Sequence, residues 1–201
     1  NKDLLEQHSF SPMATSIWRI EWAPNHLRAW RKKSYFEIGG HDASLPSGDD
    51  HDLICRFFLK YGDKGFRWID KCLYLYRVHG DNYSITDNNE VQTVVLQNYF
   101  KYSRNIAVKW ATDNNLSVMD LGGKGISWDK FEVISLNDLD KIESDSVGVI
   151  KTHDFLQYHE NPKEIMEKLW RILCHGGILF LEVPSTESLE TLGHPLHKSY
   201  W

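Results

Sequence analysis

Two short stretches of the sequence combine residue types that could do chemistry. The first contains the adjacent carboxylates of Asp49 and Asp50, followed directly by His51. Because neighbouring like charges raise the pKa of one carboxyl group, such a pair beside a histidine could supply a general base. Carboxylates are also favoured in the first turn of a helix, so one of the two could serve only as a cap. Spacing alone leaves both interpretations open.

The second stretch runs from Leu116 to Gly125, where an apolar run leads into Asp120 and a glycine-rich sequence. Glycines after a strand let the backbone approach a ligand closely, and an acidic residue at the end of a strand can bind a ribose or an amino group. A plain tight turn would have the same composition. The pattern therefore indicates either a ligand site or a turn.

The elements that must position the acidic pair lie in the first half of the chain. The sequence predicts helices around 24–33 and 50–61 and a strand at 72–78. A polar run from 80 to 89 is rich in Gly, Asn and Asp, which suit turns. We expect the seam between two segments at this run.

Beyond the seam, helices and strands alternate. Apolar residues at helical spacing predict helices at about 90–111 and 163–174, and Pro162 suits the first turn of the second. Short apolar runs predict strands at 116–120, 131–136, 147–150 and 178–183. Because strands alternate with helices, we expect an α/β fold with a parallel sheet.

Composition excludes several classes of protein. The 201 residues include 41% hydrophobic and 25% charged residues and carry a net charge of −5, which is typical of a soluble globular chain of one or two domains. No run approaches the ~18 apolar residues of a membrane span, and a mildly acidic chain is unlike a nucleic-acid binder. The 3 cysteines are too few and scattered for a disulfide framework or zinc site, which favours a cytoplasmic location.

From about Ser11 to Ser84 the chain resembles the C-terminal half of a family 2 glycosyltransferase with the GT-A fold. The matching motifs occur in the family's order and are Leu27–Lys32, Ile38–Asp42, Asp49–Leu53, Arg56 and Leu73–His79. The resemblance implies that Asp50, beside Asp49, is the catalytic base and that His79 contacts a metal or a diphosphate. It also implies a nucleotide sugar and a saccharide acceptor as partners, with Mg²⁺ or Mn²⁺ in the complete parent enzyme.

The acceptor side of this segment is expected to include Trp30, Arg31 and His51. Aromatic rings suit the C–H groups of sugars, although core packing is the alternative for the tryptophan. The family's Asp-x-Asp metal motif would precede Ser11, where only ten residues are available. We therefore expect this segment alone not to transfer sugar.

Residues 116–201 are similar to a class I S-adenosylmethionine-dependent methyltransferase, in particular to such domains fused behind family 2 glycosyltransferases. The matching stretches are Asp145–His159, Asn161–Pro162, Arg171–Leu173, Gly176–Gly177, Pro184–Thr186 and His197–Trp201. The resemblance implies S-adenosylmethionine as cofactor. It places three groups around that cofactor: Asp120, Gly122, Gly123 and Gly125 at its methionine part, Asn137 and Asp138 near its adenine, and His153, Asp154 and Phe155 at the end of the fourth strand.

The methyltransferase sheet is expected to be reduced. Only five residues separate Gly125 from Phe131, where the family has a helix and the strand whose carboxylate binds the ribose. The family's Leu-Glu-His sequence reads Leu-Gln-Tyr at 156–158. A cofactor held loosely would lose the positioning on which methyl transfer depends.

The whole chain is thus predicted to be α/β, with a partial GT-A segment at 1–88, a connecting helix at 89–115 and a truncated Rossmann-like domain at 116–201. Because it begins at Asn1 without Met and stops on Trp201 inside a motif, we expect a fragment of a bifunctional transferase acting on polysaccharide or glycoconjugate precursors. As a fragment it would be incomplete or inactive. The alternative is a non-catalytic binding or scaffold module derived from these folds. A homo-oligomer is compatible with either.

Overall fold

A computed structural model describes residues 27–67, 69, 71, 73–74, 88–122, 131–185 and 196–198. The chain divides into two compact units, residues 1–109 and 110–201. Mixed helices and parallel strands confirm the α/β class. The boundary falls within a long helix, and the predicted division at 88 and 115 stays a prediction.

The described part of the first unit is helical. Its elements are α1 (Lys32–Glu37), α2 (Asp49–Tyr61), a 3-10 turn (Asp63–Gly65) and most of α3 (Asn88–Asp113). The predictions of a helix at 50–61 and of one at 90–111 are therefore confirmed. Apolar side chains of α2 and α3 are buried, namely Leu53, Ile54, Phe57, Phe58, Val94, Val95, Tyr102 and Ile106.

The helix predicted around 24–33 is wrong at residues 27–31, which are not helical, because α1 begins only at Lys32. Tertiary contacts explain the difference. The Arg28 guanidinium binds the Asp50 carboxylate, and the Trp30 ring stacks on Phe57 with centroids 4.4 Å apart. Both contacts bind this non-helical segment to α2. Most of the strand predicted at 72–78 lies outside the described residues.

The second unit is built on four parallel strands. They are β1 (Ser117–Leu121), β2 (Glu132–Ile134), β3 (Val147–His153) and β4 (Leu173–Glu182). The spatial order is β2-β1-β3-β4, so β1 has its successor β2 on one side and β3 on the other. This confirms the predicted parallel sheet. The connection after β1 leads to one side of the sheet and the connection after β2 leads to the other side, so the strand order reverses between β1 and β3. A crevice is expected at the carboxyl ends of these two strands.

One face of the sheet carries the core. Helix α4 (Pro162–Ile172) connects β3 to β4 and begins as predicted, with Asn161 accepting a hydrogen bond from the Glu164 amide and proline in the first turn. Its Ile165, Leu169 and Ile172 are buried with apolar side chains of the strands and of a 3-10 turn at Leu136–Lys141. Because these positions are three or four residues apart, they form one stripe that faces the sheet.

Several element boundaries differ from the sequence predictions. The strand predicted at 131–136 is only three residues long, because a 3-10 turn begins at Leu136. Helix α4 ends at Ile172 rather than 174, and β4 begins at once, five residues before the predicted start. Gly176 allows this irregular start through its φ of 81°. Among the helices described, none is both long and apolar enough to cross a membrane.

Candidate functional site

The acidic pair predicted as catalytic lies in the first turn of α2. Its preceding residue Gly48 has a φ of 64°, and the Asp50 carboxylate accepts a hydrogen bond from the His51 amide at 2.7 Å. The same carboxylate binds Arg28. Partial burial would raise the pKa of Asp50, but the charge and hydrogen bond of Arg28 outweigh it and hold that pKa below its ordinary value. Asp50 is therefore a weaker proton acceptor than an unpaired carboxylate.

Asp49 has different surroundings. Its side chain is 44% exposed, and its Oδ2 lies 3.9 Å from His41 Nε2. The other ring nitrogen of His41 lies 2.8 Å from the Tyr35 hydroxyl. The two neighbouring carboxylates therefore have different partners. The permanent cation of Arg28 binds Asp50, whereas the imidazole of His41 faces Asp49.

His51 was expected to contact an acceptor and is instead buried. Its side chain lies inside the first unit at 5% exposure, and among the described residues neither ring nitrogen has a hydrogen-bond partner. Burial lowers the pKa of the imidazole despite the attraction of Asp50 and Asp52. The ring is therefore enclosed within the described part of the first unit, and its contact with an acceptor stays a prediction.

The other residues predicted for the sugar half are spread out. Trp30 is half-buried and stacks on Phe57, which favours the packing alternative over a sugar platform. Arg31 is exposed directly before α1. His79 lies outside the described residues, so its predicted metal contact stays a prediction.

The acidic pair does not fit a divalent cation in this arrangement. Such an ion takes several oxygen ligands, and the Asp50 oxygens are already engaged by Arg28 and the His51 amide. Within the described ranges, no group of three or more His, Cys, Asp or Glu side chains is placed to hold a metal. Asp49 and Asp50 as they stand therefore give no support to a role for Mg²⁺ or Mn²⁺ at this pair.

The second unit brings its predicted residues to one edge of the sheet. All four strands are parallel, so their carboxyl ends lie together. Asp120 and Gly122 are at the end of β1, Asn137 and Asp138 follow β2, and His153 with Asp154 is at the end of β3. The predicted residues of the described part therefore follow the carboxyl ends of three neighbouring strands, and their contact with a cofactor stays a prediction.

At the end of β1, Asp120 is not available as an open carboxylate. Its Oδ2 lies 3.1 Å from Nζ of Lys151, its register partner on β3, and the two side chains are 8% and 7% exposed. Sequence reasoning assigned no role to Lys151. Side chains alternate between the two faces of a strand, but only the register between β1 and β3 places Lys151 opposite Asp120. That register cannot be read from the sequence.

Gly122 makes a tight turn after β1, with its amide donating to the Asp120 carbonyl oxygen at 3.1 Å. Among the described residues, a Cβ at Gly122 would meet only the Ile134 carbonyl oxygen, at 3.7 Å, and its φ is not in the left-handed region. Neither its backbone nor these neighbours require glycine there. Gly123 and Gly125, predicted beside it, lie outside the described residues.

The residues predicted near an adenine follow β2. Asn137 is exposed, whereas Asp138 accepts hydrogen bonds from Ser135 Oγ at 2.6 Å and from Lys141 Nζ at 2.8 Å. These bonds, that of Lys141 foremost, lower the pKa of Asp138. Of these two residues, Asn137 is therefore the one that is exposed to solvent.

The end of β3 carries a titratable cluster. His153 Nδ1 lies 2.6 Å from Oε2 of Glu182 on β4, and its Nε2 lies 3.5 Å from Asp154 Oδ2. Asp154 has a φ of 47°, which is uncommon for a residue with a side chain, and its amide donates to the Glu182 carbonyl. Phe155 is half-buried against the core. The cluster fixes the end of β3 to the end of β4.

Sequence reasoning missed the partners rather than the acidic residues themselves. Arg28, Lys151 and Glu182 bind Asp50, Asp120 and His153 respectively, and each is distant in sequence from its partner. No spacing rule links residues that meet only through strand register or loop packing. No family model, curated protein or solved structure matches this chain.

Proposed function

We propose that the second unit, residues 110–201, binds the nucleoside part of S-adenosylmethionine at the carboxyl edge of its sheet and is of methyltransferase type. One observation carries the proposal. The strand order reverses direction at β1, and the predicted cofactor residues after β1, β2 and β3 share the edge at that point. In open parallel sheets ligands bind at such a switch point.

Two features of this edge support a nucleoside ligand. Gly122 is a glycine for which the described surroundings give no conformational reason, and close approach of a ligand to the backbone is a common reason for one. Asn137 presents an amide that can both donate and accept hydrogen bonds, as recognition of an adenine edge requires. When bound, the cofactor would supply an electrophilic methyl group, and the chain would position it.

The first unit, residues 1–109, is proposed as the acceptor-side segment of a glycosyltransferase. Support comes from the partly exposed Asp49 carboxylate at the start of α2, which among the described residues has no arginine partner of the kind that binds Asp50 and can meet a hydroxyl group of a sugar. A second candidate function is a non-catalytic binding module derived from the same fold. The Arg28–Asp50 pair favours it, because it lowers the basicity of the carboxylate expected to act as base.

Calorimetric titration of the whole chain with S-adenosylhomocysteine tests the nucleoside proposal. Gly122→Val should weaken binding at least tenfold, because the side chain occupies space beside the backbone, where the described neighbours leave ordinary van der Waals room for a Cβ. Ser117→Val is the matched control, since Ser117 is exposed at the opposite end of the same strand. Absence of binding at millimolar ligand, or equal loss in both variants, would reject the proposal.

A further inference from the structure

The Asp120–Lys151 pair lies directly beneath the edge where the nucleoside is proposed to bind. Asp120 is one residue before the end of β1, and Lys151 is two residues before the end of β3. Their charged atoms are 3.1 Å apart. Gly122, the residue proposed to allow close approach of a ligand, is two positions after Asp120.

The pair belongs to the sheet face opposite the core cluster. Met119 and Leu121 flank Asp120 in sequence and are part of that cluster, so alternation along the strand directs Asp120 away from it. Asp120 has Val133 as its register partner on β2, and the Val133 side chain is 69% exposed. The face is therefore open toward β2, while the ion pair itself is closed from solvent.

The charge of Lys151 limits which ligand groups the Asp120 carboxylate can bind. A carboxylate with low exposure is stable when one cation neutralises it, and here the Lys151 ammonium does so. A ligand ammonium brought to the same carboxylate would also face the positive charge of Lys151 in a medium of low dielectric constant. The attraction to Asp120 would then be offset by the repulsion from Lys151.

We infer that Lys151 fills the cation position of Asp120 and is a specificity-determining residue of this edge. Because the pair has no net charge, the edge gives no advantage to nucleosides whose 5′ substituent carries an ammonium group. The inference rests on the proposed function. It places the main binding contribution on the nucleoside and none on the amino-acid part of S-adenosylmethionine.

The unaltered chain provides the first test. S-Adenosylhomocysteine and 5′-methylthioadenosine share the nucleoside and the thioether, and only the former has an amino acid with its ammonium. We expect 5′-methylthioadenosine to bind at least as tightly as S-adenosylhomocysteine in calorimetric titration. Binding of S-adenosylhomocysteine more than tenfold tighter would overturn the inference while leaving the proposed function intact. Binding of neither ligand would overturn both.

Substitutions provide the second test. Lys151→Met removes the charge with little change in length, so the preference should shift at least tenfold toward S-adenosylhomocysteine. The double variant Lys151→Met with Asp120→Asn should lose that shift and should fold, because a neutral pair replaces the ion pair. Thermal melting establishes that each variant is folded. An unchanged ligand preference in a folded Lys151→Met variant would overturn the inference, and if that variant does not fold, the preference of the unaltered chain decides.

Discussion

The Tyr102 hydroxyl donates a 2.6 Å hydrogen bond to Oδ1 of Asp52, a residue 50 positions earlier in the chain. The other carboxylate oxygen of Asp52 accepts from Arg56 at 2.7 Å. Arg56 also donates to the carbonyl oxygens of Ile38 and Gly40, at 2.6 and 2.7 Å. This network joins α2, α3 and the turn after α1, and it gives a structural reason for three motifs on which the resemblance to glycosyltransferases depends.

Asp52→Asn should therefore destabilise the first unit by about 3 kcal/mol, because it removes one partner of a buried charge pair. The Asp52 side chain is 1% exposed. Asp49→Asn, three residues earlier and with a side chain that is 44% exposed, should change the free energy of unfolding by less than about 0.5 kcal/mol. Urea denaturation of both variants measures the difference. Equal effects would show that the network contributes little to stability.

Acidification should weaken the first unit in two separate pH ranges. Burial lowers the pKa of His51 below its ordinary value of 6.5, so below that pH the unfolded chain binds a proton that the folded chain does not. Stability then decreases as the pH falls. Arg28 and the Asp52 partners instead lower the pKa of Asp50 and Asp52 below 3.8, and the stability they provide is lost only below that pH.

His51→Leu should remove the pH dependence of stability in the upper range, near and below pH 6.5, and leave the lower range unchanged. The free energy of unfolding of the unaltered chain should fall between pH 6.5 and 5 by up to about 1.4 kcal/mol per pH unit more than that of the variant. Below pH 3.8 both should decline in parallel. Denaturation at stepwise pH checks this, and identical slopes in the upper range would mean that His51 is protonated in the folded chain.

The two described cysteines should differ in reactivity. Burial, with the nearby Asp52 charge, raises the pKa of the Cys55 thiol to about 12, so almost no reactive thiolate exists at about pH 8. Burial also raises the pKa of Cys174, but that residue is only half-buried. Iodoacetamide should therefore modify Cys174 before Cys55 in the folded chain and both alike in denaturant. Peptide mass spectrometry reads each site, and equal rates in the folded chain would contradict this.

Truncation of two adjacent residues of α4 should change stability by very different amounts. Leu169 is fully buried in the core cluster, whereas Trp170 is 81% exposed. Leu169→Ala should cost about 3 kcal/mol through lost burial and a cavity, and Trp170→Ala should change stability by less than about 0.5 kcal/mol. Thermal melting of the two variants measures this. A large loss for Trp170→Ala would indicate that its ring is covered in solution.

Much of the fold was predictable because it depends on local periodicity. The apolar stripe of α4, the length of α2 and the alternation of strands with helices are encoded in neighbouring residues. The segment around Arg28 and Trp30 was not predictable, because its helical pattern was overridden by an ion pair and a ring stack with α2. Similarly, the three-residue length of β2 depends on the turn that follows it.

A short window of sequence marks Asp120 and the turn that follows it, whereas Asn137, Asp138, His153 and Asp154 were named from the family resemblance. The state of their charges depends instead on tertiary contacts. Strand register places Lys151 opposite Asp120, and loop packing places Arg28 on Asp50. The physical reason is that the strength of a carboxylate as a base or ligand depends on the nearest cation within a few ångströms. Residues distant in sequence supply that cation in both units.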